Sequence, residues 1–106
     1  MDEKKVAALL RRLRITPNLN GYYYIKEAVI GYKQGIQVTN ELYPDVAKKF
    51  NSTPSKVERG IRHSIEKACG FGYNKKLLEE IFGEDFTTPT NAEFIATLHE
   101  YLLDQE

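Results

Sequence analysis

The sequence predicts an all-α fold, a compact bundle of about six helices that contains a helix-turn-helix. Apolar residues recur at helical spacing through most of the 106-residue chain, and no stretch alternates apolar and polar residues for long. Glycine, proline and short polar clusters interrupt this pattern where helices would end. The length suits a single helical domain, residues 1–106, with its own core. The predicted helices cover roughly residues 2–14, 21–34, 41–50, 54–69, 74–82 and 91–103.

The first two predicted helices are defined by apolar spacing and by the breakers that follow them. Four apolar residues from Val6 to Leu13 share one side of a helix, and Pro17 lies in the polar break after it. The run GYYYI resembles a strand because aromatic residues favour sheets, but its continuation KEAVIGYKQ keeps the helical period. The second helix therefore extends to about residue 34, and Gly35 stands where a helix C-cap is expected.

The middle of the chain predicts two helices joined by a tight turn, which is the arrangement of a helix-turn-helix. An interior proline would cost a helix about 3 kcal/mol, so we expect Pro44 in the first turn of the third helix. Residues 51–53 form the turn, and Thr53 followed by Pro54 suits the N-cap and first position of the fourth helix. Gly70 ends that helix.

The last two predicted helices have clear start and stop signals. Asn74 suits the N-cap of a short fifth helix, and Gly83 follows its last apolar residues. Thr90 and Glu93 have the spacing of a capping box, which predicts that the sixth helix starts at about residue 91.

The net charge of zero conceals an uneven distribution along the chain. Residues 1–14 and 44–69 each carry a balance of +3, residues 15–43 cancel, and residues 70–106 carry −6. This asymmetry indicates a polyanion-facing surface in the middle of the chain and an acidic remainder. The single cysteine, Cys69, excludes an internal disulfide and fits a reducing cytoplasm. We see no export signal and no apolar run of membrane-spanning length, so we expect a soluble cytoplasmic protein without a membrane partner.

The fourth predicted helix combines a narrow apolar stripe with a wide cationic face. At 100° per residue, Ile61, Ile65 and Ala68 fall within about 80° of Val57. This arrangement is typical of a recognition helix that enters the major groove of DNA, and a solvated amphipathic helix is the alternative that periodicity leaves open. The far side gathers Ser55, Arg59, Arg62, His63 and Glu66, with Lys56 and Lys67 beside them.

The run ELYPDVAKKFNSTPSKVERGIRHSIEKA resembles the DNA-binding effector domain of the master sporulation response regulator of endospore-forming bacteria. That family's pattern reads approximately LYPxIAKKFxTTxSxVERAIRHAIE. The similarity extends to GYYYIKEAVIGYKQG near the start of the chain and to PTNAEFIATL near its end. It therefore covers nearly the whole sequence, and it is far more specific than a general helix-turn-helix pattern.

The resemblance implies a six-helix domain that binds short duplex boxes in promoters and regulates transcription in sporulation. It also implies self-association on tandem boxes and contact with the sigma subunit of RNA polymerase. In the family, the Glu-Arg pair of the VER motif approaches the bases, and here that pair is Glu58 and Arg59. The chemistry agrees, because arginine can donate two hydrogen bonds to guanine and glutamate can accept one from cytosine.

Six further residues are candidates for contacts with DNA phosphates, because they carry cationic or hydroxyl groups on or beside the fourth helix. Solubility is an equal explanation for the lysines outside that helix, and Glu58 could instead pair with Arg62 at i, i+4. The stronger phosphate candidates are Lys56, Arg62 and His63, and the lesser ones are Ser55, Lys48 and Lys49.

The sequence departs from the family pattern at a few positions. Gly60 stands where the family tends to have alanine, at a cost of about 0.5–1 kcal/mol inside a helix. Cys69 stands where tryptophan is common, and residues 70–72 (GFG) differ from the family's continuation. Full-length members carry a phosphoacceptor receiver domain before this one. Since the sequence starts at Met1 without it, we expect either an excised domain or a protein that lacks a receiver.

Other kinds of chemistry find little support in the sequence. Two distant histidines and one cysteine do not give the ligand spacing of a zinc site, and no phosphate-binding glycine motif appears. We therefore expect no metal, no cofactor and no enzymatic activity. The competing interpretation is a protein-interaction or decoy module that keeps the fold without reading DNA and uses the acidic last third as its surface.

Overall fold

The computed structural model describes residues 1–106 and consists of helices without any β-strand. The prediction of an all-α fold with six helices is therefore confirmed. A single π-helical turn, Val38–Leu42, leads directly into the third helix. None of the helices has both the length and the apolar character needed to span a lipid bilayer. The α-helices are α1 Glu3–Arg12, α2 Tyr22–Gly31, α3 Tyr43–Lys49, α4 Pro54–Ala68, α5 Lys75–Phe82 and α6 Asn91–Leu103.

Three of the predicted N-caps are formed as the sequence indicated. The side chains of Thr53 and Asn74 each accept a hydrogen bond from an amide in the first turn of the following helix. Thr90 and Glu93 form a complete capping box, in which the amide of Glu93 donates to Thr90 Oγ1 at 3.2 Å and the amide of Thr90 donates to Glu93 Oε1 at 2.9 Å. Because each contact satisfies an amide that the helix leaves unpaired, the caps fix where these helices begin.

The end of α2 differs from the prediction. The helix stops at Gly31, and the prediction that Gly35 caps it is wrong, because Gly35 lies in a separate turn with φ of 89°. The physical reason is His99 of α6, whose Nδ1 lies 2.7 Å from the carbonyl oxygen of Val29. A carbonyl only accepts, so the imidazole donates there in place of the amide of a further helical turn. The Tyr32 ring packs on the same imidazole, with centroids 5.3 Å apart.

The hydrophobic core contains 23 buried residues and draws on all six helices. Helix α4 contacts α2, α3 and α6, so it is held from several directions. Its predicted stripe is confirmed: Val57, Ile61 and Ala68 are fully buried and Ile65 is 2% exposed. Since burying one large aliphatic side chain contributes about 1.5–3 kcal/mol, this stripe can hold the helix while its opposite side stays in solvent.

Helices α2 and α4 meet where one backbone touches the other. A methyl group added to Gly21, the residue before α2, would lie 2.0 Å from the carbonyl oxygen of Gly60. Gly21 has an ordinary right-handed conformation, with φ of −84°, so space rather than backbone freedom requires glycine there. A methyl group on Gly60 would lie 3.1 Å from the ring of Tyr24. This pair of glycines therefore brings the start of α2 against the middle of α4.

Candidate nucleic-acid interface

The turn between α3 and α4 has a defined hydrogen-bond geometry. The amide of Ser52 donates to the carbonyl of Ala47 at 2.8 Å, and the amide of Asn51 donates to the carbonyl of Lys48 at 3.3 Å. Asn51 has φ of 52°, a left-handed conformation that asparagine tolerates better than most residues. Together these features form a Schellman motif, which ends α3 sharply. Thr53 then caps α4, so the turn fixes how the two helices are joined.

Tyr24 of α2 supports this turn from the side. Its hydroxyl oxygen lies 2.9 Å from Ser52 Oγ, and its ring packs edge-on against Phe50 with centroids 5.6 Å apart. The same ring lies beside Gly60 of α4. Tyr24 therefore contacts the turn and α4 together, and it limits how far one can move relative to the other.

Helix α4 presents a polar and cationic face to solvent. Glu58 is half-buried, and its backbone carbonyl accepts a hydrogen bond from Asn91 Nδ2 at 3.0 Å, which ties α4 to the start of α6. The same amide donates to the hydroxyl of Tyr43, also at 3.0 Å. Burial raises the pKa of that phenol, so it stays neutral and its oxygen remains a partner for Asn91. Five predicted site residues of this face are exposed, namely Ser55, Lys56, Arg59, Arg62 and His63, and Glu66 and Lys67 are exposed farther along the helix.

Two shallow grooves flank this face. The first, here called the α2 groove, has a volume of about 520 Å³ and separates α4 from the start of α2. The second, the π-turn groove, has a volume of about 360 Å³ and lies toward Thr39. The α2 groove is lined by Asn20, Tyr24, Lys56, Arg59, Gly60 and His63. The π-turn groove includes Ser55, Glu58, Arg59 and Arg62. Because Arg59 lines both grooves, it lies along the crest of the exposed face.

The two charged neighbours Glu58 and Arg62 form an ion pair along α4. Arg62 Nη1 lies 3.6 Å from Glu58 Oε1, and the side chains are 57% and 38% exposed, respectively. An exposed i, i+4 pair of this kind contributes about 0.3–0.5 kcal/mol to stability. Either partner can therefore exchange the pair for a contact with DNA at small cost.

Lys48 and Lys49 lie apart from the other site residues, in the last turn of α3. Both are exposed, but Lys49 Nζ lies 2.9 Å from Glu27 Oε2 of α2. Lys48 takes part in no ion pair within the protein. The structure thus gathers six of the predicted site residues on one face of α4 and leaves two lysines on the preceding helix, one of them already paired.

Two residues at the α2 groove, Asn20 and Tyr24, were not identified from the sequence. Both lie outside the helix-turn-helix, and they reach the groove because Gly21 packs on Gly60. That contact joins segments about forty residues apart, so helical periodicity carries no signal for it. The one local sign was a glycine at the start of a helix, where a capping side chain is more common.

Cys69 follows the last residue of α4 and is half-buried. Burial raises the pKa of its thiol, so the side chain is protonated at neutral pH and is a poor nucleophile. No group of three or more His, Cys, Asp or Glu side chains is arranged to hold a metal ion.

Two helices joined by a short turn, the second held by an apolar stripe and cationic outside, define a helix-turn-helix domain of the class that binds DNA. The sequence model of the family described as "Sporulation initiation factor Spo0A C terminal" matches residues 6–102. Because the match covers nearly all of the 106 residues, the chain belongs to this family. The resemblance stated from the sequence is confirmed. The family is one of DNA-binding regulatory domains of sporulation and is not a family of enzymes.

Proposed function

We propose that this domain binds double-stranded promoter DNA sequence-specifically, with α4 in the major groove, and thereby regulates transcription in sporulation. One observation carries the proposal: Arg59 lies at the crest of an exposed helix face, between two grooves, and takes part in no ion pair within the protein. An α-helix is about 10–12 Å across with its side chains, which matches a major groove about 12 Å wide.

The order of side chains across α4 supports a division of roles. Arg59 at the crest is suited to donate two hydrogen bonds to guanine O6 and N7, and the neighbouring Glu58 is suited to accept one from cytosine N4. Lys56 and His63 line one side of the crest, and Arg62 lines the other. These flanking residues would contact phosphates of the two strands that border the groove, with Ser55 and the lysines of α3 as outlying contacts.

The first experiment is to select bound duplexes from a random pool and to titrate the preferred duplex by fluorescence anisotropy. Arg59→Ala should lower affinity for this duplex by about 1–3 kcal/mol and reduce discrimination against mismatched sites, because a bidentate base contact is lost. Lys56→Ala should weaken binding to all duplexes about equally and lower the salt slope by about one, because a phosphate contact is lost. Lys76→Ala, an exposed α5 lysine in no ion pair, is the charge-matched control.

Two results would count against the proposal. If Arg59→Ala bound every duplex as the parent does, Arg59 would not read bases. If the parent bound no duplex even at low salt, where counterion release favours DNA binding most, the protein-interaction module would become the better interpretation.

Family membership supports three further parts of the proposal. We propose that copies of the domain occupy tandem sites, that a surface outside the recognition face contacts the sigma subunit of RNA polymerase, and that the protein acts in the cytoplasm, where the bacterial chromosome lies. We also propose that residues 1–106 fold as a single domain, since all six helices contribute to one core. Titration of duplexes that carry one or two sites tests the proposal of tandem occupancy, because a contact between two bound copies makes the second copy bind more tightly than the first.

A further inference from the structure

The α2 groove contains a polar side chain that the proposed function does not use. Asn20 is exposed and lines this groove together with Lys56, Arg59 and His63. Its amide takes part in no hydrogen bond within the protein, whereas Asn18, two residues earlier, is hydrogen-bonded to the hydroxyl of Thr16. Asn20 therefore offers a free carboxamide to whatever enters the groove.

The position of Asn20 is fixed on both sides by packed neighbours. Gly21 lies in backbone contact with Gly60, and Leu19 packs against the hydrophobic core. The amide of Tyr22 also donates to the carbonyl of Leu19 at 3.1 Å, which closes the loop into a turn. Asn20 is thus held at a defined place beside α4, and a contact there would cost little ordering of the chain.

The lining of the α2 groove suits an anion. Lys56 and Arg59 bring two positive charges, His63 brings a ring nitrogen that can donate, and no carboxylate lines the groove. The π-turn groove differs, because Glu58 lies within it. The α2 groove is also shallow and open to solvent, and residues of the recognition face line it, which fits a strand of DNA backbone better than an enclosed small molecule.

We propose that Asn20 is a further DNA-contacting residue, and that its amide donates to a backbone phosphate held in the α2 groove beside Lys56 and His63. This inference rests on the proposed function and extends the interface from α4 to the start of α2. Amide side chains are common phosphate donors, and they position a protein on the duplex without reading sequence. The phosphate would be held both by α4 and by the loop that precedes α2, which would fix the angle at which α4 lies in the major groove of DNA.

Asparagine is uncharged, so the salt dependence of binding distinguishes its contact from that of a lysine or an arginine. Asn20→Ala should lower affinity for all duplexes by a similar factor, about three- to tenfold. The slope of affinity against salt should stay that of the parent, because no counterion is released at a neutral side chain. Lys56→Ala, in contrast, should change the slope. Asn20→Asp keeps the size of the side chain and adds a carboxylate, so it should weaken binding more than Asn20→Ala does.

The test compares the parent with Asn20→Ala, Asn20→Asp and the control Asn18→Ala, using the selected duplex and an unrelated duplex over a range of salt. Asn20 is exposed and makes no internal hydrogen bond, so urea unfolding should give both Asn20 variants nearly the parent's stability. The control Asn18→Ala loses only the exposed hydrogen bond from the Thr16 hydroxyl, and its stability is measured in the same way. In an NMR titration, the side-chain amide of Asn20 should shift on addition of duplex and not on addition of inorganic phosphate alone, which separates DNA backbone from a free anion.

The inference is overturned if both Asn20 variants bind duplexes as tightly as Asn18→Ala does. It is also overturned if inorganic phosphate alone shifts the Asn20 amide signal while the Asn20 variants keep the parent's affinity for duplexes. In that case the proposed function would still hold, provided that the parent binds DNA and that Arg59→Ala no longer discriminates between the selected duplex and mismatched duplexes. If the parent itself binds no duplex, both proposals fall together.

Discussion

An alanine at Gly21 would test the backbone contact that joins α2 to α4. Its methyl carbon would lie 2.0 Å from the carbonyl oxygen of Gly60 and 2.3 Å from Ser64 Oγ. Neither obstacle is free to move, because Gly60 is inside a helix and Ser64 is buried and donates to that same carbonyl at 3.0 Å. Ordinary contact at 3.4 Å therefore requires the start of α2 to move away from α4 by about 1.4 Å.

The size of the effect follows from how rigid this contact is. Overpacking a close-packed site costs about 1–3 kcal/mol, and a clash with backbone belongs at the upper end of that range. Alanine also restricts the unfolded chain, which returns about 0.4–1 kcal/mol where the native conformation is permitted, as it is at Gly21. We expect a net loss of about 2 kcal/mol, which is a large part of the 5–15 kcal/mol typical of a folded domain.

Urea unfolding followed by circular dichroism measures this loss directly. The matched control is Gly31→Ala at the other end of α2, where the added methyl group would meet only Leu42 Cδ1, at an ordinary 3.6 Å. That variant should be as stable as the parent or more stable by up to about 1 kcal/mol. If Gly21→Ala lost no more stability than Gly31→Ala, the close approach of the two helices would not be a rigid part of the fold.

Two further predictions concern the capping box and the α3 lysines. Hydrogen bonds from Thr90 lower the pKa of Glu93 below its usual 4.5, so the stability that its carboxylate adds should be complete above pH 4.5 and lost as the pH falls through the lowered value. Urea unfolding should show Glu93→Ala less stable than the parent at pH 7, with a gap that closes in acid; a gap independent of pH would contradict this. Lys48→Ala should weaken duplex binding in an anisotropy titration more than Lys49→Ala does, because Lys49 is already paired with Glu27, and equal losses would refute that reasoning.

The helices could be predicted from the sequence because their ends are set by local signals. Pro54 after a threonine, Gly83 after an apolar run and the Thr90–Glu93 spacing each act within one turn of the residue concerned, and each is found in the structure. The end of α2 could not be predicted, because it depends on His99, which lies 70 residues away from Val29 in the sequence. A tertiary hydrogen bond there replaces the backbone bond that local spacing predicted.

The candidate site likewise has one part that local sequence predicts and another part that depends on tertiary packing. The cationic face of α4 follows from helical periodicity, since a buried stripe on one side determines which residues are exposed on the other. Gly60 was interpreted from the sequence as a cost to the helix alone. The structure shows that Gly60 also has a packing role, because it contacts the backbone of Gly21 on one side and the ring of Tyr24 on another. The place of Asn20 in the α2 groove depends on this packing, so it could be found only from the fold.

The zero net charge of the chain is compatible with binding a polyanion because electrostatic interactions in salt water are short-ranged. At physiological ionic strength charges are screened over about 8 Å, whereas the domain measures 35 × 29 × 24 Å. A phosphate in the α2 groove would therefore respond mainly to the charges of Lys56 and Arg59, and none of the acidic residues of the last third lines that groove. Cationic residues attract the phosphates of DNA and acidic residues repel them, so the residues that line a groove matter more for binding there than the net charge of the chain. The charges that line the α2 groove, rather than the net charge of the chain, therefore decide how strongly that groove attracts a phosphate.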